Sequence, residues 1–294
     1  MTTTYSFNGT LTTTKPTISI SDFGFARGIT VFELFRTYHG HPFRMEAHLD
    51  RLESGAAQMG ITIPLTRAQI TQQIQALMAT HNYAHSAVKL YLTAGDCASA
   101  SGLSLAACTN FSPQLIIMED LVTPKNPVAP YGMEVYQRGQ NLMTVNHIRE
   151  LPTVKTANYG IGFVAARMVA GPDYDDVLFT TPEGNVTEAT RSNFFAVIDN
   201  TLVTARSGML EGITRSVILD LAAKLNIPTS VRDYTPAELI TATEAFTTGS
   251  IAEMVPVRSI NGTILPGAEN RMMTPVFAKL REAFTALLAE ECPV

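Results

Sequence analysis

The sequence predicts an α/β or α+β protein of two domains, and three observations carry that expectation. Over 294 residues, 46% are hydrophobic and 16% charged, enough apolar surface for a sizeable core. Strand-like and helix-like patterns alternate irregularly, and no internal repeat or low-complexity segment interrupts them. Pro124, Pro127 and Pro130 recur at every third position, favouring an extended, hydrogen-bond-poor conformation. Residues 122–133 are therefore expected to link a small N-terminal domain (1–121) to a larger, strand-rich C-terminal domain (134–294).

The elements follow from local pattern. Ile29 to Tyr38 is rich in β-branched and aromatic residues, and His39-Gly40-His41-Pro42 is a turn signal, so a hairpin is expected. Leu49, Leu52, Ala56 and Met59 recur at helical spacing, predicting a helix from Glu46 to Met59 that stops at Gly60. Ile70, Ile74 and Leu77 share one face of a second helix, Thr66 to His81. Ala87 to Thr93, Gln114 to Met118 and Met133 to Gln137 read as strands. Gly160 to Ala170 reads as a helix, followed by a meander through Val177–Thr180, Val186 onward, Phe194–Ile198 and Leu202–Thr204. Arg215–Leu225 and Pro275–Leu288 are amphipathic helices.

Composition narrows the function. A net charge of −5 argues against a nucleic-acid backbone binder. The first residues lack the positive and apolar regions of a secretory signal, and no apolar run approaches a membrane span. Cys97, Cys108 and Cys292 are odd in number and dispersed, which fits reduced thiols in a cytoplasmic protein and no zinc site. Asn-x-Thr/Ser triplets at Asn8, Asn110, Asn185 and Asn261 then count as chance matches. Gly160-x-Gly162-x-x-Ala165 follows a polar, proline-containing segment, so helix-packing glycines are a better reading than dinucleotide binding. His39-x-His41 has no third ligand placed beside it, and His81, His85 and His147 have no partner pattern.

Of six lysines, Lys155 has the setting that suits chemistry. The others punctuate polar, linker, strand or amphipathic-helix patterns. Lys155 is flanked by small and hydroxyl-bearing residues, with Asn158 and Tyr159 close in sequence; a nucleophilic lysine needs partial burial and orienting neighbours. Gly212-Ile213-Thr214-Arg215 opens a helix whose free backbone N–H groups make an anion site, and Thr248-Gly249-Ser250-Ile251-Ala252-Glu253 is a second hydroxyl-rich candidate. One privileged lysine, two phosphate cradles and no metal ligands suggest a phosphorylated aldehyde cofactor.

These segments resemble the fold-type IV pyridoxal-phosphate enzymes, the group of branched-chain aminotransferase, D-amino-acid aminotransferase and 4-amino-4-deoxychorismate lyase. The resemblance runs from about Ser21 to about Gly262 and rests on pieces in family order. They are Arg27-Gly28 with Val31-Phe32-Glu33 and Arg36, then His48-Leu49-Asp50-Arg51-Leu52, then Lys155-Thr156-Ala157-Asn158-Tyr159. Asn185-Val186-Thr187-Glu188-Ala189 with Ser192-Asn193-Phe194-Phe195, and the two cradles named above, complete the set.

The resemblance implies pyridoxal 5′-phosphate as cofactor, placed between the domains, and a homodimer. It makes Lys155 the lysine that binds the cofactor aldehyde covalently and then carries the proton between substrate α-carbon and C4′. Glu188 faces the pyridine nitrogen and keeps it protonated, and Tyr159 hydrogen-bonds near the phenolic oxygen or the aldimine. Arg51 binds phosphate with the N–H groups of Ile213 and Thr214 and with Ser250, while Leu210 packs on the ring. Departures bear on the subclass. Arg27 stands where branched-chain enzymes usually have tyrosine, Leu34 replaces their glycine, and the loop Gly95–Ser101 lacks the Arg-x-His of usual D-amino-acid enzymes. Arg27 and Arg191 are therefore the candidates for holding substrate carboxylates, with Ile251 beside the substrate. The expected activity is transfer of an amino group from a D- or branched-chain L-amino acid to 2-oxoglutarate or pyruvate. The competing expectation is a lyase releasing pyruvate from 4-amino-4-deoxychorismate.

Overall fold

The computed structural model describes residues 3–98, 108, 110–122, 133–169, 173–267 and 275–294. The expected linker lies almost wholly outside them. The chain divides into two compact units. The first comprises Met1–Pro124, Val154–Asn158 and Cys292–Val294, and the second Lys125–Thr153 and Tyr159–Glu291. The five residues around Lys155 thus group with the N-terminal unit, although the chain on either side belongs to the other.

The first unit runs β1 (Tyr5–Phe7), β2 (Thr10–Thr12), α1 (Phe23–Arg27), β3 (Thr30–Tyr38), β4 (His41–Pro42), α2 (Met45–Gln58), α3 (Arg67–His81), β5 (His85–Cys97) and β6 (Phe111–Leu121). Its sheet has the order β2-β1-β6-β5-β3-β4, with every pairing antiparallel. Thr30–Tyr38 forms a strand because β-branched and aromatic side chains pack well on a pleated surface. His39 and Gly40 turn the chain with positive φ, as the hairpin signal requires. Thr66 and Gln69 form a reciprocal capping box that starts α3. Leu49 and Leu52 of α2 and Ile70, Ile74 and Leu77 of α3 close over Val31, Phe35, Val88 and Leu90 in one core.

The second unit runs α4 (Met133–Arg138), β7 (Gln140–Asn146), α5 (Gly160–Val169), β8 (Asp176–Thr180), β9 (Val186–Ala189), β10 (Asn193–Ile198), β11 (Thr201–Thr204), α6 (Ile213–Lys224), β12 (Thr229–Val231), α7 (Pro236–Leu239), β13 (Glu244–Gly249), β14 (Glu253–Ile260), β15 (Thr263–Ile264) and α8 (Pro275–Glu291). Its strand path is β12-β11-β10-β13-β14-β7-β8-β9, and a pairing of β9 with β10 at Glu188 and Asn193 closes the path on itself. Leu142, Leu178, Phe194, Ala196, Val203 and Val257 fill the core. Phe246 of β13 stacks on Phe195 and meets Phe277 of α8 edge-on. Glu244 accepts from the first-turn amides of Val276 and Phe277 at 3.1 and 2.7 Å, capping α8.

One expected strand is a helix: Met133–Arg138 is α4. Its residues are mostly good helix formers, Glu134 and Arg138 complement the helix dipole, and burial of the adjacent Val135 and Tyr136 suits one helical face as well as a strand. Gly160 and Gly162 open α5 after an irregular segment; an added Cβ at Gly160 would meet open space, so that glycine is not a close-packing position.

Candidate active site

In the first unit, Lys155 is held by backbone pairing with β3. Phe32 N–H donates to Lys155 O at 2.9 Å, Ala157 N–H to Thr30 O at 3.1 Å, and Val31 bridges Thr156. Val154, fully buried beside Gly55 of α2, anchors the segment from below. The Lys155 side chain is half-buried, with Nζ 4.4 Å from the Phe32 ring centroid, and that ring stacks on Tyr91. Gly28 ends α1 at φ 74°, and a Cβ there would come within 2.5 Å of Asn158 Oδ1. The positions of Gly28 and Asn158 in the sequence motifs are thus one packing requirement.

Beneath this segment lies a charged cluster. Glu33 shares the core-facing side of β3 with Val31 and Phe35 and is fully buried. Arg51 grips it in bidentate fashion, Nε to Oε1 at 2.7 Å and Nη2 to Oε2 at 2.9 Å, and His48 Nδ1 lies 2.7 Å from Oε2. Burial opposes ionisation of Glu33, but the Arg51 charge and the hydrogen bonds from His48 and Arg51 outweigh it. They hold the carboxyl at about 2, below its ordinary 4.5. Burial pushes His48 below its ordinary 6.5 against the pull of Glu33, and the charges of Arg51 and Lys155 add to the lowering. His48 is therefore a neutral donor to Glu33, and Arg51 is the counter-ion. Arg51 is fixed from α2, with the Nε–Nη2 edge of its planar guanidinium on Glu33.

In the second unit, Glu188 of β9 is buried and its carboxylate is braced on both oxygens. Arg149 Nη1 donates to Oε1 at 3.1 Å, and Leu210 N–H donates to Oε2 at 3.2 Å. Asn193 Nδ2 lies 3.5 Å from Oε2 and donates to Leu210 O at 2.7 Å, tying β10 to the segment before α6. Gly212 is the N-cap of α6 and supplies no side chain to its first-turn amides, among them those of Ile213 and Thr214. Asn193 Oδ1 would lie 2.0 Å from a Cβ at Gly212, so glycine is required there. Thr248 pairs with Asn193 across β10 and β13, and its Oγ1 is buried without a hydrogen-bond partner. Ser250 and Ile251 follow in the half-buried turn between β13 and β14, which Arg281 of α8 holds through Glu253 at 3.2 Å. Tyr159 immediately precedes α5 and is 37% exposed.

The candidate residues therefore fall into two sets. Lys155, Arg51 and Arg27 belong to the first unit; Tyr159, Glu188, Arg191, Leu210, Ile213, Thr214, Ser250 and Ile251 belong to the second. Arg27 is exposed at the end of α1, and Arg191 is exposed between β9 and β10 without an ion-pair partner among the described residues. The sequence reading assigned no role to Glu33, His48 or Arg149. A glutamate inside the apolar run Val31–Phe35, and a histidine beside Leu49 and Leu52, were readable signals, because buried polar residues are the informative exceptions. Arg149, in a polar loop, offered none.

The family model described as amino-transferase class IV matches residues 30–260. The chain belongs to this family. It is 29% identical to a branched-chain amino acid aminotransferase of Pseudomonas aeruginosa, covering 89% of this chain and 85% of that one. It is 27% identical to D-alanine aminotransferase of Listeria monocytogenes, covering 94% and 92%. It is also 27% identical to aminodeoxychorismate lyase of Bacillus subtilis, covering 83% and 81%. The branched-chain aminotransferase of Escherichia coli shares the fold at a TM-score of 0.87 and 23% identity, with 99% of this chain and 96% of that chain covered.

Class IV aminotransferases use pyridoxal 5′-phosphate, and another branched-chain aminotransferase of the same fold has been solved with pyridoxamine 5′-phosphate. The residues here fit the charges of that group. Glu188 is a fixed anion for a pyridinium. Within the second unit, the uncapped start of α6 and the buried Thr248 hydroxyl are donors that an anion could use; within the first unit, Lys155 is a half-buried amine that an aldehyde could use.

Proposed function

We propose that the protein is a transaminase that moves the amino group of a D-amino acid or a branched-chain L-amino acid to a 2-oxo acid such as 2-oxoglutarate or pyruvate. The observation that carries this reading is the setting of Lys155: a half-buried amine on a backbone clamped to β3, above a cluster in which Glu33 already compensates Arg51. Bound pyridoxal 5′-phosphate supplies an electron-withdrawing ring that stabilises negative charge developing at the substrate α-carbon.

The chain's own residues do the rest. Lys155 Nζ would hold the aldehyde end of the cofactor and would accept and return the proton of the substrate α-carbon. Glu188, braced by Arg149 and Leu210, keeps the proton on the pyridine nitrogen. Arg51, the N–H groups of Ile213 and Thr214, and Ser250 hold the phosphate. Tyr159 hydrogen-bonds near the phenolic oxygen, and Leu210 packs on the ring. Arg27 and Arg191 hold substrate carboxylates, with Ile251 against the substrate. A second copy of the chain is the proposed partner. It would cover α5, where Ile161, Phe163, Val164 and Met168 are exposed and Ala165 is buried. A cytoplasmic setting belongs to this reading; Cys97, Cys108 and Cys292 form no disulfide, and no described helix is long and apolar enough to cross a membrane.

The similarity to a lyase keeps one other reaction in view, pyruvate release from 4-amino-4-deoxychorismate. Steady-state assays separate the two. Product formation from D-alanine or L-leucine that requires an added 2-oxo acid supports amino transfer. Pyruvate from 4-amino-4-deoxychorismate without any acceptor, and no acceptor-dependent activity, replaces this reading with the lyase.

A further inference from the structure

Arg149 lies just after β7, in a stretch tied down at several points. His147 N–H donates to Thr180 O at 2.9 Å, extending the ladder between β7 and β8, and the His147 ring meets Phe179 edge-on at 5.1 Å. Ile148 passes close to Gly208, where φ is 74° and a Cβ would come within 2.9 Å of Thr187 Cγ2. The backbone at Arg149 is thus fixed against β8 and the loop before α6. From there its side chain reaches past β8 to Glu188 Oε1 at 3.1 Å; it is 19% exposed and Glu188 6%. On the other oxygen, Leu210 N–H and Asn193 approach from the β10 side.

A carboxylate can rotate about its Cγ–Cδ bond, and a single hydrogen bond would leave that rotation soft. Donors on both oxygens, from elements on opposite sides of β9, lock the plane of the group. We infer that Arg149 is a positioning residue that sets the carboxylate plane of Glu188 and so fixes how the cofactor ring nitrogen is held. This rests on the proposed role of Glu188. It assigns to Arg149 a function distinct from the phosphate and substrate arginines, exercised through another side chain.

The test uses purified full-length protein and the variants Arg149→Met, Arg149→Lys, Glu188→Gln and Arg149→Met/Glu188→Gln. Three quantities are read: pyridoxal 5′-phosphate affinity, the absorbance maximum of the bound cofactor as a function of pH, and the melting midpoint of the apoprotein. Loss of one charge-assisted hydrogen bond predicts that Arg149→Met weakens cofactor binding roughly tenfold. Its absorbance band should move in the same direction as in Glu188→Gln. Arg149→Lys should recover part of both effects, and the double variant should bind no worse than Glu188→Gln. Wild-type affinity and absorbance in Arg149→Met, with Glu188→Gln altered, overturn this inference alone. So does an equal loss in both backgrounds, or a lower apoprotein midpoint with affinity retained. An unaltered Glu188→Gln variant removes the reading of Glu188 itself, and this inference with it.

Discussion

Replacing Glu33 by glutamine tests the buried cluster beneath Lys155. The carboxyl is held at about 2 against an ordinary 4.5. That difference corresponds to about 3 kcal/mol of stability when Glu33 is ionised in the folded protein and free to titrate in the unfolded one. The sign is set by the lowered folded value. Between the two values the unfolded chain binds more protons, so this stability is complete above about 4.5 and is lost as pH falls toward about 2. Glu33→Gln also leaves Arg51 partly buried without its counter-ion, which acts in the same direction. Urea unfolding followed by circular dichroism should place the variant about 3 kcal/mol below wild type at neutral pH, with the gap closing on acidification through that window. The variant should also bind pyridoxal 5′-phosphate more weakly, since Arg51 loses its fixed orientation. A gap under about 1 kcal/mol at neutral pH, or one that persists undiminished at the acid end, would refute the reasoning.

Other consequences can be checked separately. Lys155→Ala should abolish activity and the visible band of the bound cofactor while leaving the apoprotein folded by circular dichroism. Arg27→Ala and Arg191→Ala should each raise the substrate KM by roughly tenfold or more and leave cofactor affinity near wild type, measured by steady-state kinetics and cofactor titration. Leu77→Ala removes a fully buried side chain between α3 and the first sheet and should cost about 2–5 kcal/mol in urea unfolding. Phe163→Lys with Met168→Lys on the exposed face of α5 should shift the protein toward monomer in sedimentation velocity.

How much was legible in sequence depended on whether a pattern had one physical cause. The helices α2 and α3 were readable because a single apolar period dictates each, and the strand β3 because it is dense in β-branched and aromatic residues; the structure places all three within a residue or so of expectation. Met133–Arg138 was misread because a short run with Val135 and Tyr136 adjacent carries no period long enough to separate helix from strand. β14 was not anticipated, since Pro256 lies inside it and proline ordinarily argues against a central strand. The family motifs gave the candidate site residue by residue. They did not reveal that Val154–Asn158 would group with the N-terminal unit, because that follows from non-local pairing with β3. The same holds for Arg149, whose place beside Glu188 exists only once β7, β8 and β9 lie side by side.

The most direct test of the central claim is a single half-reaction. Protein loaded with pyridoxal 5′-phosphate is mixed with D-alanine, or separately with L-leucine, without acceptor. Visible absorbance is followed, and the cofactor and the released 2-oxo acid are identified by mass spectrometry. Amino transfer predicts that at least one of the two amino acids converts the bound cofactor to pyridoxamine 5′-phosphate with one equivalent of 2-oxo acid, and that Lys155→Ala does not. Conversion by L-leucine alone would mark a branched-chain enzyme despite Arg27; conversion by D-alanine alone would favour Arg27 and Arg191 as the carboxylate clamp. An unchanged cofactor with both amino acids, together with repeated pyruvate release from 4-amino-4-deoxychorismate, would contradict the account.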